Sequence, residues 1–251
     1  MRPPVYLINL DKSLDRLAIS KKRLDEQGIA FERISGVLGD ELTNVEIEKH
    51  YSYEINLKKY HTALTAGQIG CYLSHRKAWG KVVEGNHPYA LILEDDVKFV
   101  SDIKPVFETI DSIDFSWDLI KLSAYQSRKR PIAFEKGIAN GMKLVVHSKP
   151  MTGCAAYLIT KTAAEALLFS TERFGRPVDT DIQHFWEKNI QTLSLMPYAI
   201  EQDMNFASVI DYNNVPRKKY FWKRKYQQLT SSFKNKSETK KQIEKLQGHF
   251  K

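Results

Sequence analysis

"LILEDDVKFV", residues 91–100, sets three adjacent acids, Glu94, Asp95 and Asp96, at the end of an apolar run. Like charges side by side repel, and carboxylates resist burial unless something compensates them. Leu91–Leu93 read as a strand entering a sheet. In open α/β sheets, ligands sit beyond the C-terminal ends of the strands, and the acids lie at such an end. Successive side chains on an extended chain point to opposite faces. Glu94 and Asp96 are therefore expected to face one way and Asp95 the other. Two carboxylates on one side suit a hard cation, Mg2+ or Mn2+, which keeps positions open for substrate phosphates. The competing reading is a solvated acidic turn paired with Lys98 or arginines, since charge runs are usually solvated. The residues alone leave both readings open.

The surrounding pattern supports the α/β premise. "VYLINL" (5–10), "AFERISGV" (30–37), "YALILEDDV" (89–97) and "WDLIKLSA" (117–124) read as strands. So do "MKLVVHS" and "CAAYLIT", around the turn "KPMTG". Between them, the stretch beginning at Ser13 has leucines near helical spacing and a stop at Gly28, and "TAGQIGCYLSHRKAWGKVVEG" has a capping box in Thr65 and Gln68. "IKPVFETIDSI" and "KTAAEALLFSTERFG" are further helices, and "PVDTDIQHFWEKN" opens another. Residues 38–64 are polar and irregular, with a short helix at "NVEIEKHY", and "YQSRKRPIAFEKGIANG" reads as a charged loop. Strands alternating with helices predict an α/β fold with a mixed, mostly parallel sheet.

Other residues are candidates by position. Asn9 and Arg16 follow the first strand, where they suit a nucleotide base or phosphate; the alternative is plain capping of the next helix by Asp11 or Ser13. Ser74, His75, Arg76 and Lys77 sit within one helix and suit a diphosphate or sugar, although a lone helical histidine is more often structural. Asp179 and Asp181 lie near a helix start, where acids favour the macrodipole; their functional role would be a general base or a clamp on sugar hydroxyls. Dinucleotide and P-loop signatures are missing from the chain, which also speaks against a phosphotransferase.

In order and spacing, "VYLINLDKSLDR", "GQIGCYLSHRKAW", "LILEDDV", "GCAAYLIT" and "PVD" resemble glycosyltransferase family 25 over about residues 5–210. The resemblance implies a GT-A-like nucleotide-binding domain over residues 1–214, a UDP-sugar donor, inversion at the anomeric carbon, and Mn2+ or Mg2+. It puts "EDD" in the place of the DxD motif, with Glu94 and Asp96 as the expected metal pair and Asp95 on the ribose or sugar. Asn9, Arg16, Ser74, His75 and Lys77 become expected donor contacts, and Asp179 the general base. Asp181, Gly153 at the head of "GCAAYLIT", and Gln202 of "IEQD" become expected contacts of the donor or acceptor sugar. Galactose is favoured as the hexose, with glucose the alternative, and the acceptor expected is a lipooligosaccharide or lipopolysaccharide.

Charge divides the chain in two. Residues 217–251 hold twelve Lys or Arg against two Asp or Glu, whereas the remainder holds 26 against 28. The segment "VPRKKYFWKRKYQQL" (215–229) interleaves cations with Tyr220, Phe221, Trp222 and Tyr226. Such a mixture suits an anionic membrane interface, so residues 215–251 are expected to be a basic, membrane-associating tail. A cytoplasmic protein, peripheral on the inner membrane and acting on a lipid-linked oligosaccharide, is the expected setting. The start of the chain has no signal-peptide layout and no apolar run is long enough to span a membrane. Cys71 and Cys154 sit in apolar settings and read as buried free thiols. Two rival functions stay in view. One is nucleic-acid binding through the basic tail, against which the body is slightly acidic, so no nucleic-acid partner is expected. The other is a non-catalytic sugar-binding relative, against which all the expected acids are present.

Overall fold

A computed structural model of the chain describes residues 2–125, 130–206 and 221–250. The elements run β1 (Val5–Asn9), α1 (Leu14–Glu26), β2 (Glu32–Ser35), α2 (Asn44–His50), α3 (Tyr53–Lys59), α4 (Ala66–Glu84), β3 (Tyr89–Glu94), β4 (Val97–Phe99), α5 (Lys104–Asp111) and β5 (Leu119–Lys121). They continue with β6 (Ile132–Gly137), β7 (Lys143–His147), β8 (Ala156–Thr160), α6 (Lys161–Ser170), α7 (Val178–Ile182), β9 (Thr192–Met196), β10 (Ile200–Gln202) and α8 (Phe221–Gly248).

Eight strands form one sheet in the order β2-β1-β3-β8-β5-β9-β7-β6. The pairings make β2, β1, β3, β5, β9 and β6 run one way and leave only β8 and β7 reversed. The sheet is therefore mixed and mostly parallel in direction. β7 and β8 follow each other in the chain but are not partners, because β9 and β5 lie between them. A separate two-stranded ribbon pairs β4 with β10.

Burial on both faces explains the continuous apolar strands. Val5, Leu7, Leu91, Leu93 and Leu158 pack on one side with Leu24 of α1, Val106, Phe107 and Ile110 of α5, and Leu246 of α8. Tyr6, Ile8, Ala90, Ile92, Tyr157 and Ile159 pack on the other with Ile69, Tyr72, Trp79 and Val82 of α4 and Leu167 of α6. The winding reverses at β1. The first crossover, through α1, places β2 on one side of β1; the next, through α4, returns to place β3 on the other. The two helices fall on opposite faces, so the carboxyl ends of β1 and β3 open between them. That is a topological switch point, where α/β sheets bind ligands.

Helix α4 has the Thr65–Gln68 capping box in both directions. Its entry is also fixed by two glycines. A Cβ on Gly70 would lie 2.4 Å from the Val37 carbonyl oxygen, and one on Gly39 would lie 1.8 Å from that of Ala66. The loop after β2 thus presses on the α4 backbone. Three features go beyond the sequence expectations. "IAFEKG", read as loop, is β6, an edge strand whose side chains are mostly exposed. β9 and β10 follow the last predicted helix. The basic tail is not a loose appendage over its described residues: α8 inserts Leu246 into the core, and its Gln242 Nε2 donates to the Thr192 carbonyl at 3.0 Å. Residues 215–220 and 251 of the expected tail lie outside the described residues.

Gly70→Ala should lower stability by about 1–3 kcal/mol, because the backbone on both sides of the contact must move. Thermal unfolding of the two proteins measures it, and an unchanged midpoint would contradict the contact.

Candidate active site at the carboxyl ends of β1 and β3

Glu94 ends β3, and Asp95 and Asp96 make the turn that leads into β4. The burial alternates: Glu94 and Asp96 are partly exposed and Asp95 is buried between them. Asp95 is the structural member. Its Oδ2 accepts from Asn9 Nδ2 at 2.7 Å, and its Oδ1 pairs with Arg16 at 2.5 Å. Its own carbonyl accepts from Ser20 at 2.9 Å. Burial pushes its carboxyl upward in pKa, while the Asn9 hydrogen bond and the Arg16 charge pull the other way. Asn9, Arg16 and Asp95, expected to touch the donor, are thus engaged with one another, and they clamp β1 and α1 to the end of β3.

Asp96, partly exposed, has different partners. Its Oδ2 accepts from Gln202 Nε2 at 2.8 Å, with Arg16 3.5 Å away. Its Oδ1 is buried and has no hydrogen-bond partner among the described residues. Burial, and next the charge of Glu94, push its carboxyl up to about 7. An orphaned oxygen and two mutually repelling carboxylates are what a divalent cation would satisfy, so the donor set fits Mn2+ or Mg2+. The β4–β10 ribbon brings Gln202 here, and Asp203 beside it pairs with Arg23 and donates its backbone N–H to the Asp96 carbonyl.

Glu94 is held from the other side by a relay. Trp79 Nε1–H donates to the Tyr157 oxygen at 2.8 Å, Tyr157 lies 2.9 Å from His75 Nδ1, and His75 Nε2 lies 3.0 Å from Glu94. Trp79 can only donate. The chain is fully matched when Tyr157 donates to Nδ1 and the Nε2–H donates to Glu94. His75 is therefore a positioning residue for Glu94. Cys71, His75 and Glu94 also present ligand atoms within 4.8 Å of one another. Burial, then Glu94, raise the Cys71 thiol well above its ordinary range.

Asp179, partly exposed at the start of α7, accepts at Oδ1 from the Thr180 backbone N–H at 2.7 Å. Its charge and that of Glu94 both act on the buried thiols of Cys71 and Cys154. Gly153 adjoins Cys154, at φ +89°, with Tyr125 packed so closely that a Cβ would meet the ring at 3.2 Å. Its carbonyl accepts from the buried Lys121 ammonium. Lys149 is near enough to Asp179 to feel its charge, and burial and Arg130 lower its ammonium pKa. With Arg130, Lys236 and Lys240 it lines a groove of about 880 Å³ between α8 and the β6–β7 edge. Neither Lys121 nor Lys149 was a candidate from sequence, because no motif marks a lone lysine.

Four residues named from sequence have their partners elsewhere in the protein. Ser74 is buried, donating to the Gly70 carbonyl at 2.7 Å and accepting from Val37 N–H at 2.8 Å. Lys77 lies about half a turn from His75 around α4 and reaches the Ser35 carbonyl, beyond β1 from the acids. Arg76, also named from its helix, donates to the Leu168 carbonyl and Thr171. Asp181 is buried among Tyr72 at 2.7 Å, Lys188 at 2.9 Å and Arg176 at 3.0 Å. Burial would raise its carboxyl, but Lys188 and Arg176 outweigh that and hold it low. Asp181 therefore anchors α7, and with it Asp179, rather than binding sugar.

The fold and the acid cluster define an α/β protein with a cation-competent carboxylate site at a topological switch point. The profile described as "Glycosyltransferase family 25 (LPS biosynthesis protein)" matches residues 2–182. The chain belongs to glycosyltransferase family 25. Procollagen galactosyltransferase 1-B of Xenopus laevis is 30% identical over 200 residues, covering 74% of this chain and 31% of its own length. Procollagen galactosyltransferase 2 of Mus musculus is 29% identical over 197 residues, covering 74% and 30%. "Probable inactive glycosyltransferase 25 family member 3" of Bos taurus is 30% identical over 152 residues, covering 53% and 25%. The chain spans less than a third of the length of these relatives. Among solved structures, A197 from STIV is 12% identical with a TM-score of 0.40, covering 85% of this chain and all of its own. A glycosyltransferase involved in glycosylation of the major capsid of PBCV-1 is 14% identical with a TM-score of 0.31, covering 67% and 65%.

Asp181→Asn should cost about 3–5 kcal/mol, the usual penalty for leaving buried cations unpaired, read as a fall in denaturant midpoint. A loss below 1 kcal/mol would remove its anchoring role. The same network sets an acid limit. Burial would raise the Glu187 carboxyl, but hydrogen bonds and charge from Arg176, then Lys59, bring it down to about 2. A depressed folded pKa gives stability that is present above the ordinary carboxylate range and lost as pH falls toward 2. The stability gap between the wild type and Glu187→Gln should narrow over that window in denaturation series at successive pH values. A gap independent of pH would contradict the pairing.

Proposed function

We propose that the chain transfers a hexose, galactose in preference to glucose, from a UDP-sugar to a lipid-linked oligosaccharide of the lipooligosaccharide or lipopolysaccharide type, with inversion. The observation that carries the reading is the cleft between β1 and β3. Glu94 and Asp96 stand partly exposed at its edge, Asp96 with one oxygen unpaired among the described residues, and Asp179 is near enough to act with Glu94 on the thiols of Cys71 and Cys154. Family membership and the galactosyltransferase names of the relatives support the sugar chemistry.

Glu94 and Asp96 would hold Mn2+ or Mg2+, which when bound supplies Lewis-acid stabilisation to the departing diphosphate. The protein's own part is positional. His75 orients Glu94, and Gln202 and Arg16 fix one oxygen of Asp96, leaving the other without a hydrogen-bond partner among the described residues. The Asp95 clamp keeps both carboxylates at the strand ends without taking part itself. In direct displacement the acceptor oxygen attacks the anomeric carbon, the bond to UDP breaks, and the acceptor proton goes to Asp179. Thr180 N–H holds one oxygen of that carboxylate; the other has no protein donor among the described residues. The groove lined by Arg130 and Lys149 beside Asp179 suits an anionic acceptor.

UDP release from a panel of UDP-galactose, UDP-glucose and UDP-N-acetylhexosamines, with and without Mn2+, tests donor and metal together. Asp179→Asn should keep UDP binding while turnover falls about 10²–10⁴-fold, the usual worth of general-base assistance. Wild-type turnover in that variant would reassign the base, and indifference to metal and to every UDP-sugar would overturn the reading. The relative named probable inactive raises a sugar-binding alternative, which would appear as UDP-sugar binding without UDP release.

A further inference from the structure

Helix α8 has two unlike faces. Asn235, Thr239, Gln242 and Leu246 are buried against the body. Trp222, Tyr226, Leu229 and Phe233 are exposed, Trp222 at 82% and Phe233 at 76%. Their spacings of four, three and four residues bring them onto one arc of the helix, about 60° wide and roughly 140° from the docked face. The stripe is about 17 Å long. A run of large apolar side chains this exposed marks an interaction surface rather than scatter.

The charge around the stripe says what covers it. The helix carries eight Lys or Arg and two Glu. Lys225 and Lys236 flank the stripe, exposed, and have no carboxylate partner among the described residues. Lys240 continues its line. We propose that this face of α8 lies on an anionic lipid bilayer, with Trp222, Tyr226, Leu229 and Phe233 at the headgroup boundary and Lys225, Lys236 and Lys240 on the lipid phosphates. Aromatic and leucine side chains with a lysine rim are the composition of interfacial helices. A second copy fits less well, because two stripes face to face would bring the same lysine rims together. A nucleic acid would match the charge but leave Leu229 and Phe233 unmatched. The docked face of α8 holds the rest of the protein against the helix, so binding the stripe places the whole domain at the surface.

Flotation of the full chain with vesicles of phosphatidylglycerol and phosphatidylethanolamine, against phosphatidylcholine alone, tests the proposal. The wild type should float with the anionic vesicles only, and less so as salt is raised. Trp222→Ser with Phe233→Ser should abolish flotation. Lys225→Glu, a change of two charge units, should weaken it about 30-fold, since each unit of charge near such a surface is worth about 1 kcal/mol. Trp222, Phe233 and Lys225 are exposed and lie outside both the acid cluster and the groove lined by Lys149, so thermal midpoints and UDP release should stay at wild-type values. Absence of anionic-vesicle binding in the wild type, or flotation equal in all three proteins, would overturn the proposal. So would a dimer in sizing chromatography that the stripe substitutions dissolve, or salt-dependent retention on DNA without vesicle binding. Flotation needs no sugar donor, so its failure leaves the transferase reading standing, and the reverse also holds.

Discussion

The site depends on one buried carboxylate. Asp95 lies out of water at the end of β3 and is tolerated there because Asn9 and Arg16 reach it from the end of β1 and the start of α1. Without those partners a buried carboxylate would be strongly unfavourable. The contact is also what ties the two strands together at the point where they diverge. Because Asp95 turns inward, its neighbours turn outward, and the repulsion that looked like a defect in "LILEDDVKFV" becomes the means of presenting two acids to a cleft.

Each of the three acids is then defined by its neighbours. Asp95 is neutralised within the protein. Glu94 is steered by a histidine that is itself oriented by Tyr157 and Trp79 from the sheet and α4. Asp96 keeps one oxygen with no hydrogen-bond partner among the described residues. A similar division separates Asp179 from Asp181, two residues on: one partly exposed, the other shut between Arg176 and Lys188. In both pairs the protein spends one carboxylate on holding the next in place.

Much of this was legible in the chain. The apolar runs of β1, β3 and β8 and the capping box of α4 are local signals, and strand alternation anticipated the different burial of Asp95. The edge strand β6 was not legible, because a strand exposed on most of its length lacks the apolar pattern that marks the others. Nor were the fates of Ser74, Lys77 and Asp181. Side chains on one short helical stretch diverge by about 100° per residue, so nearness in sequence did not mean nearness to the ligand. Lys121 and Lys149 escaped because their setting is made by contacts across the fold.

By itself, then, the sequence determined the α/β class, the acidic strand end, the family, and a basic aromatic C-terminal segment, since each follows from periodicity, motif order or charge. Only the tertiary structure decided which carboxylates are available, that the C-terminal segment is a docked helix with a second, exposed apolar face, and that the winding reverses between β1 and β3. The physical reason is the same in each case. Availability, docking and crossing direction are set by what covers a side chain, and that cover comes from residues distant in sequence: Asn9 on Asp95, Arg176 and Lys188 on Asp181, and Thr192 on Gln242.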